Sequence, residues 1–105
     1  MSGNLASCLE FTWHPVKAAL NMAKHGVTFA RAATVLSDPF ALTVFDAEHS
    51  AFEERWFTVG LSADNKLLAV SHTYVFMTED KAQVRIISAR EATRRERRQY
   101  ENEPG

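Results

Sequence analysis

"RWFTVGLSADNKLLAV", residues 55–70, carries the reading of the fold. Two runs rich in β-branched, aromatic and aliphatic residues flank "SADNK", a cluster of turn formers, which is the pattern of an antiparallel hairpin. Working outward, "FALTVFD" (40–46) has the same two-residue period and is separated from the hairpin by the loop "AEHSAFEE". Downstream, the second run continues as "LLAVSHTYVF". "MTEDKA" then turns the chain into "QVRIISAR" (83–90). Four strands with short connections predict an antiparallel meander.

Helical signals flank this meander. "HPVKAALNMAKHG" (14–26) places Pro15 at a first helical position and Gly26 at the C′ position. Its Val16, Ala19, Leu20 and Ala23 recur as one apolar face. His14 stands at the N-cap, where Asp or Ser would serve better. "VTFARAATVLSDP" reads as a second helix, capped by Thr28 and stopped at Asp38-Pro39, with Phe29, Ala32, Ala33 and Leu36 toward the core. "LEFTW" (9–13) alternates like a first strand. Thr93 with Glu96, or Ser88 with Glu91, forms a capping box for a last helix; the uninterrupted "VRIISAR" favours Thr93. The expected fold class is α+β: two N-terminal helices and a C-terminal helix on a small antiparallel four-stranded sheet. One domain is expected over 10–103, after a flexible extension over 1–9.

Composition narrows the function. The 105 residues are 46% hydrophobic and 24% charged, ordinary for a globular domain. No apolar run approaches the ~20 residues that span a bilayer, and "MSGNLASCLE" lacks the pattern of a secretory signal. A cytoplasmic location is therefore expected, with no membrane partner. Cys8 is the single cysteine, so neither an internal disulfide nor a CxxC zinc site is available. His14, His25, His49 and His72 show no metal-binding spacing, and there is no phosphate-cradling glycine loop. No metal and no cofactor is expected.

Charge is unevenly spread. The formal net charge is −1, but residues 1–80 carry five Lys or Arg against nine Asp or Glu, and residues 81–100 carry seven against two. Six of those seven are arginines, whose forked donors match phosphate oxygens. On the last helix Arg94, Arg95, Arg97 and Arg98 span an arc of about 160°. The opposite side holds Ala92, Glu96 and Tyr100, a thin apolar face with a carboxylate at its centre. Such a helix gains little by docking on its own core, so its arginines are expected to act between molecules. The alternative is a solvated helix face.

Arg55, His72, Arg85, Arg90 and Tyr100 are the candidates for chemistry on strands and helix ends. Arg85 and Arg90 differ by an odd number of positions, so in an ideal strand they point to opposite faces unless a bulge intervenes. One of them can instead be structural, bridging to Glu53, Glu54 or Glu91. A lone histidine in an apolar strand, like His72, is more often a core residue than a catalyst. His49, in an acidic loop, reads as solvated.

"WHPVKAALNMAKHGVTF" follows the pattern W-D-x-x-K, then N, then K-H-G-V-x-F, and "ERWFTVG", "RIISAR" and "ATRRERRQYE" follow in order. In these blocks the chain resembles the BrnT family, toxins of bacterial type II toxin–antitoxin pairs, over about residues 11–101. His14 departs from the family's Asp, and the "YVFMTEDKAQ" turn is longer than usual. The resemblance implies a RelE-like fold and a ribonuclease that inhibits translation by cutting RNA. It also implies neutralisation by a BrnA-like antitoxin, whose ribbon-helix-helix part would bring the complex to operator DNA.

For a metal-free ribonuclease, Arg85 or Arg90 would stabilise the phosphorane, with Arg55 assisting. His72 or His25 would transfer the proton and Tyr100 would orient the substrate. Lys24, His25, Arg94, Arg97 and Arg98 would bind RNA. The reading from a different class is a non-catalytic module that grips nucleic acid or an acidic protein through the arginine helix.

Overall fold

A computed structural model describes residues 7–102. The elements run β1 (Cys8–Thr12), α1 (Pro15–His25), α2 (Phe29–Thr34), β2 (Leu42–Phe45), β3 (Trp56–Leu61), β4 (Leu67–His72), β5 (Val75–Phe76), β6 (Lys81–Glu91) and α3 (Arg94–Asn102). Single 3-10 turns follow α2 at Val35–Ser37 and β2 at Ala47–His49. The sheet is six-stranded and mixed, in the order β1-β6-β4-β3-β2, with β5 also pairing β6.

This corrects the expected four-stranded antiparallel sheet. β1 joins β6 in parallel, Cys8 opposite Lys81 and Thr12 opposite Arg85. The first strand read at 9–13 is present as β1, so the helices follow it and do not open the chain as the four-stranded scheme had them, and α2 is only six residues long. The expected flexible extension over 1–9 meets β1 at Cys8 and Leu9; residues 1–6 lie outside the described residues. The long run 67–76 is divided: β4 ends at His72, and β5 continues along β6 inside the longer turn.

Local signals explain the helix ends. His14 Nδ1 accepts from the Val16 N–H at 3.2 Å, so histidine does cap α1, and Gly26 closes it at φ 70°. Thr28 Oγ1 accepts from the Arg31 N–H at 3.1 Å. The capping box of α3 is complete: the Glu96 N–H donates to Thr93 Oγ1 at 3.1 Å and the Thr93 N–H to Glu96 Oε1 at 2.8 Å.

One sheet face carries the main core. Leu68, Val70, Val84, Ile86 and Ala89 pack there against Val27, Phe29, Ala32 and Val35. The orientation of α1 reverses the expected one. Val16 and Leu20 are 60% and 64% exposed, while Asn21 is buried. The cause is the edge of β6, which β1 leaves uncovered beyond Arg85. Asn21 pairs with that edge as a strand would: its Nδ2 donates to the Ala89 carbonyl at 2.8 Å, and its Oδ1 accepts from the Ala89 N–H at 3.1 Å. Nδ2 also donates to the Val27 carbonyl at 3.0 Å. Satisfying three buried backbone groups outweighs burying two aliphatic side chains of an exposed helix.

Asn21→Leu leaves those backbone groups unpaired. The expected loss of stability is about 2–4 kcal/mol, read as a lower urea midpoint at unchanged m-value.

Candidate functional site: an arginine-lined cleft on the open sheet face

Opposite the main core, α3 covers only one end of the sheet. Ala92 and Tyr100 pack with Phe57 on Val59, Leu67 and Ala69. The carboxylate in the middle of this helix face anchors it: Glu96 takes Arg90 bidentately, at 2.8 and 2.9 Å. The Tyr100 hydroxyl donates to Asp38 Oδ2 at 2.6 Å, and the Leu61 N–H donates to the same oxygen at 2.8 Å. Burial and the bond to Asp38 push the Tyr100 phenol up to about 12. Burial alone would raise Asp38, but its donors, the Leu61 N–H, the Tyr100 hydroxyl and the Phe40 N–H, bring its carboxyl below the usual value. The expectation of a poorly docked helix is thus corrected: Ala92 and Tyr100 supply the packing, and Arg90 and Asp38 supply the polar fastening. Tyr100 is part of that fastening, with its hydroxyl taken by Asp38.

Beyond α3 the face is open, and a β-bulge decides what lines it. Ser71 opposes Ser88 and His72 opposes Ile86, so Ile87 is an extra residue on β6. Before the bulge, Val84 and Ile86 are in the core; after it, Ala89 is. Arg85 and Arg90 therefore both point away from the core, despite their odd separation.

Arg90 lies over the Phe57 ring, 5.7 Å from its centroid, and lines a cleft of about 460 Å³. His25, Arg55, Ser71 and Ser88 line the same cleft, as do Asp46 and His49. Glu53 bridges Arg55 and Arg85: Arg55 approaches it at 3.4 Å, and Arg85 makes a short hydrogen bond to the same oxygen. The Arg85 hydrogen bond comes first in holding the Glu53 carboxyl below its usual range. Arg55 Nε is buried without an acceptor among the described residues. The expected bridge from Arg85 to Glu53 is present, whereas Arg90 bridges to Glu96.

His72 is a correction. It is 1% exposed on the core face, away from the arginines. Its Nε2 meets Thr58 Oγ1 at 2.7 Å and its Nδ1 meets the Thr73 carbonyl at 2.9 Å. A carbonyl only accepts, so Nδ1 carries the hydrogen and Nε2 accepts from Thr58, whose own oxygen lies 2.8 Å from Thr43 Oγ1. Burial lowers the His72 pKa, against the opposing effect of the Thr73 bond. Lys24 and His25 are exposed at the end of α1. Arg94 and Arg98 are exposed on α3 with no carboxylate partner among the described residues, and Arg97 reaches Glu101 at 3.8 Å.

The pair Asp46 and His49, 2.8 Å apart, escaped the sequence reading. The spacing D-x-x-H within one turn was the available signal.

Fold and site together define a small α+β protein with one sheet face covered by helices and the other open, lined by guanidinium groups. The chain belongs to the BrnT family: a family model described as "Ribonuclease toxin, BrnT, of type II toxin-antitoxin system" matches residues 13–96. The crystal structure of the Brucella abortus ribonuclease toxin BrnT is similar in fold, with a TM-score of 0.55 at 24% identity, covering 83% of this chain and 99% of that one. No curated protein matches the chain. No helix among the described residues is long and apolar enough to cross a membrane.

His72 sets the first acid response of the fold. Its folded pKa lies below its ordinary 6.5, so the unfolded chain binds the extra proton and stability falls as pH drops through that value. Glu96, held below its ordinary 4.5 chiefly by the Arg90 hydrogen bond, adds a second loss further into acid. Urea midpoints measured between neutrality and about pH 5 should fall for the native protein and stay flatter for His72→Gln. Glu96→Gln should weaken the fold by about 1 kcal/mol at neutral pH, because the Arg90 end of the pair is partly exposed and screened.

Proposed function

We propose that the protein is a metal-independent endoribonuclease that inhibits translation by cutting RNA in the cytoplasm. The observation that carries this reading is the alignment of Arg55, Arg85 and Arg90 on one open sheet face in a member of a ribonuclease toxin family. Cleavage by the ribose 2′-oxygen puts extra negative charge on the phosphorane, and guanidinium groups held on or beside strands stabilise it. Glu53 and Glu96 now hold these arginines with carboxylate oxygens, and a phosphodiester offers the same acceptor geometry.

Lys24 and His25 at the end of α1, with Arg94, Arg97 and Arg98 on α3, would extend the basic surface along an RNA backbone. The partner would be a BrnA-like antitoxin with a ribbon-helix-helix part, through which the complex reaches operator DNA. An acidic antitoxin segment on α3 would exclude RNA, because one basic surface cannot hold two polyanions at once.

The purified protein, incubated with RNA and EDTA, should give cleavage products, with the RNA free or on translating ribosomes. Arg85→Ala should cut about 100-fold more slowly. Salt-sensitive binding without products would make the protein a binding module instead. Antitoxin should compete with RNA; simultaneous binding at full affinity would overturn mutual exclusion.

A further inference from the structure

The proton-transfer group that a ribonuclease needs is not His72, which is buried on the wrong face with both ring nitrogens occupied. His14 Nδ1 is engaged at the start of α1. His25 lines the cleft but has no orienting partner among the described residues. His49 differs on both counts. It lines the cleft with a side chain 62% exposed, and its Nδ1 lies 2.8 Å from Asp46 Oδ2.

The loop holds this pair in place. The Asp46 N–H donates to the Arg55 carbonyl at 2.9 Å, and the Ser50 hydroxyl bonds the Asp46 carbonyl. The Arg55 N–H donates to Ser50 Oγ at 3.0 Å. One backbone hydrogen bond thus ties Asp46, the residue after β2, to Arg55, the residue before β3, and the Ser50 hydroxyl bridges both, so the loop carrying His49 is pinned at its base. A carboxylate only accepts, so Nδ1 carries the ring hydrogen and the lone pair is on Nε2.

Resting on the ribonuclease reading, we propose that His49 is the general base and Asp46 its positioning residue. Nε2 takes the proton of the ribose 2′-hydroxyl. The 2′-oxygen then bonds to phosphorus, and the bond from phosphorus to the 5′-oxygen breaks. The leaving oxygen takes a proton from water in the open cleft, and the imidazolium returns its proton to the hydroxide so formed. The products are a 2′,3′-cyclic phosphate and a 5′-hydroxyl, with no other reactant consumed. Arg55 and Arg90, in the same cleft, carry the charge that develops. The charged or titratable groups facing His49 are Asp46, Glu53, Arg55, Arg90 and His25.

A base must be deprotonated to act, so the native rate should fall toward acid. The test uses a 5′-labelled single-stranded RNA of mixed sequence in EDTA. His49→Ala should lower kcat on the order of 100-fold with KM little changed, and should flatten the acid limb of the pH profile. Added imidazole should restore part of the rate, because the cleft is open; a merely structural role would not be rescued in this way. Asp46→Asn should lose less rate than His49→Ala.

His49→Gln keeps the bulk of the ring and serves if the alanine variant does not fold. A folded variant that cuts within about twofold of the native rate, with the same pH profile, overturns the assignment. Arg85→Ala would still report on the nuclease reading in that case. Cleavage of a fully 2′-O-methylated RNA would also overturn it. Absence of any cleavage by the native protein, on free RNA and on ribosomes alike, would instead bring down the nuclease reading itself.

Discussion

The extra residue at Ile87 is the constraint on which the open face depends. A strand alternates its side chains, and without a bulge Arg85 and Arg90 would lie on opposite sides of the sheet. With Val84 and Ile86 kept in the core, Arg90 would then be driven in beside them, where a charge without a partner is severely disfavoured. The bulge removes that conflict. The ladder is repaired beside it: the Thr73 N–H donates to the Arg85 carbonyl at 3.0 Å, and Thr73 Oγ1 accepts from the Arg85 N–H at 3.0 Å. The same irregularity lies where β4 ends at His72.

The edge of β6 imposes a second demand. Because β1 stops opposite Arg85, the backbone at Ala89 would face a helix with no hydrogen-bond partner. Asn21 supplies one, and α1 is rotated to deliver it. This leaves Val16 and Leu20 outside and brings the end of the helix, with His25, to the rim of the cleft. A polar residue inside α1 therefore sets how the helix meets the sheet.

Electrostatically, the protein balances its own basic surface. Glu53 holds Arg55 and Arg85, and Glu96 holds Arg90. The Glu53 pairs are partly exposed, so solvent screens them and an incoming polyanion exchanges Glu53 for another acceptor at small net cost. Glu96 serves α3 twice, since it completes the helix cap and fastens the helix to β6. The outward arginines of α3 remain exposed because the helix docks by its other side.

Local chemistry was legible in the chain. Pro15, Gly26, Thr28 and the Thr93–Glu96 box mark helix ends, because a cap needs only residues within a few positions of each other. The two-residue period of 55–61 and 67–72 marks the central hairpin for the same reason. The family blocks identified the chain's relatives. What lay beyond the sequence was every relation set by distant partners: the parallel pairing of β1 with β6, the rotation of α1 about Asn21, the burial of His72 and the convergence of Asp46 and His49 with Arg55 and Arg90. A periodicity counts faces along one strand or helix. Which face meets the core, and whether an extra residue shifts the count, is decided only when strands take their neighbours and each buried backbone group must find a partner.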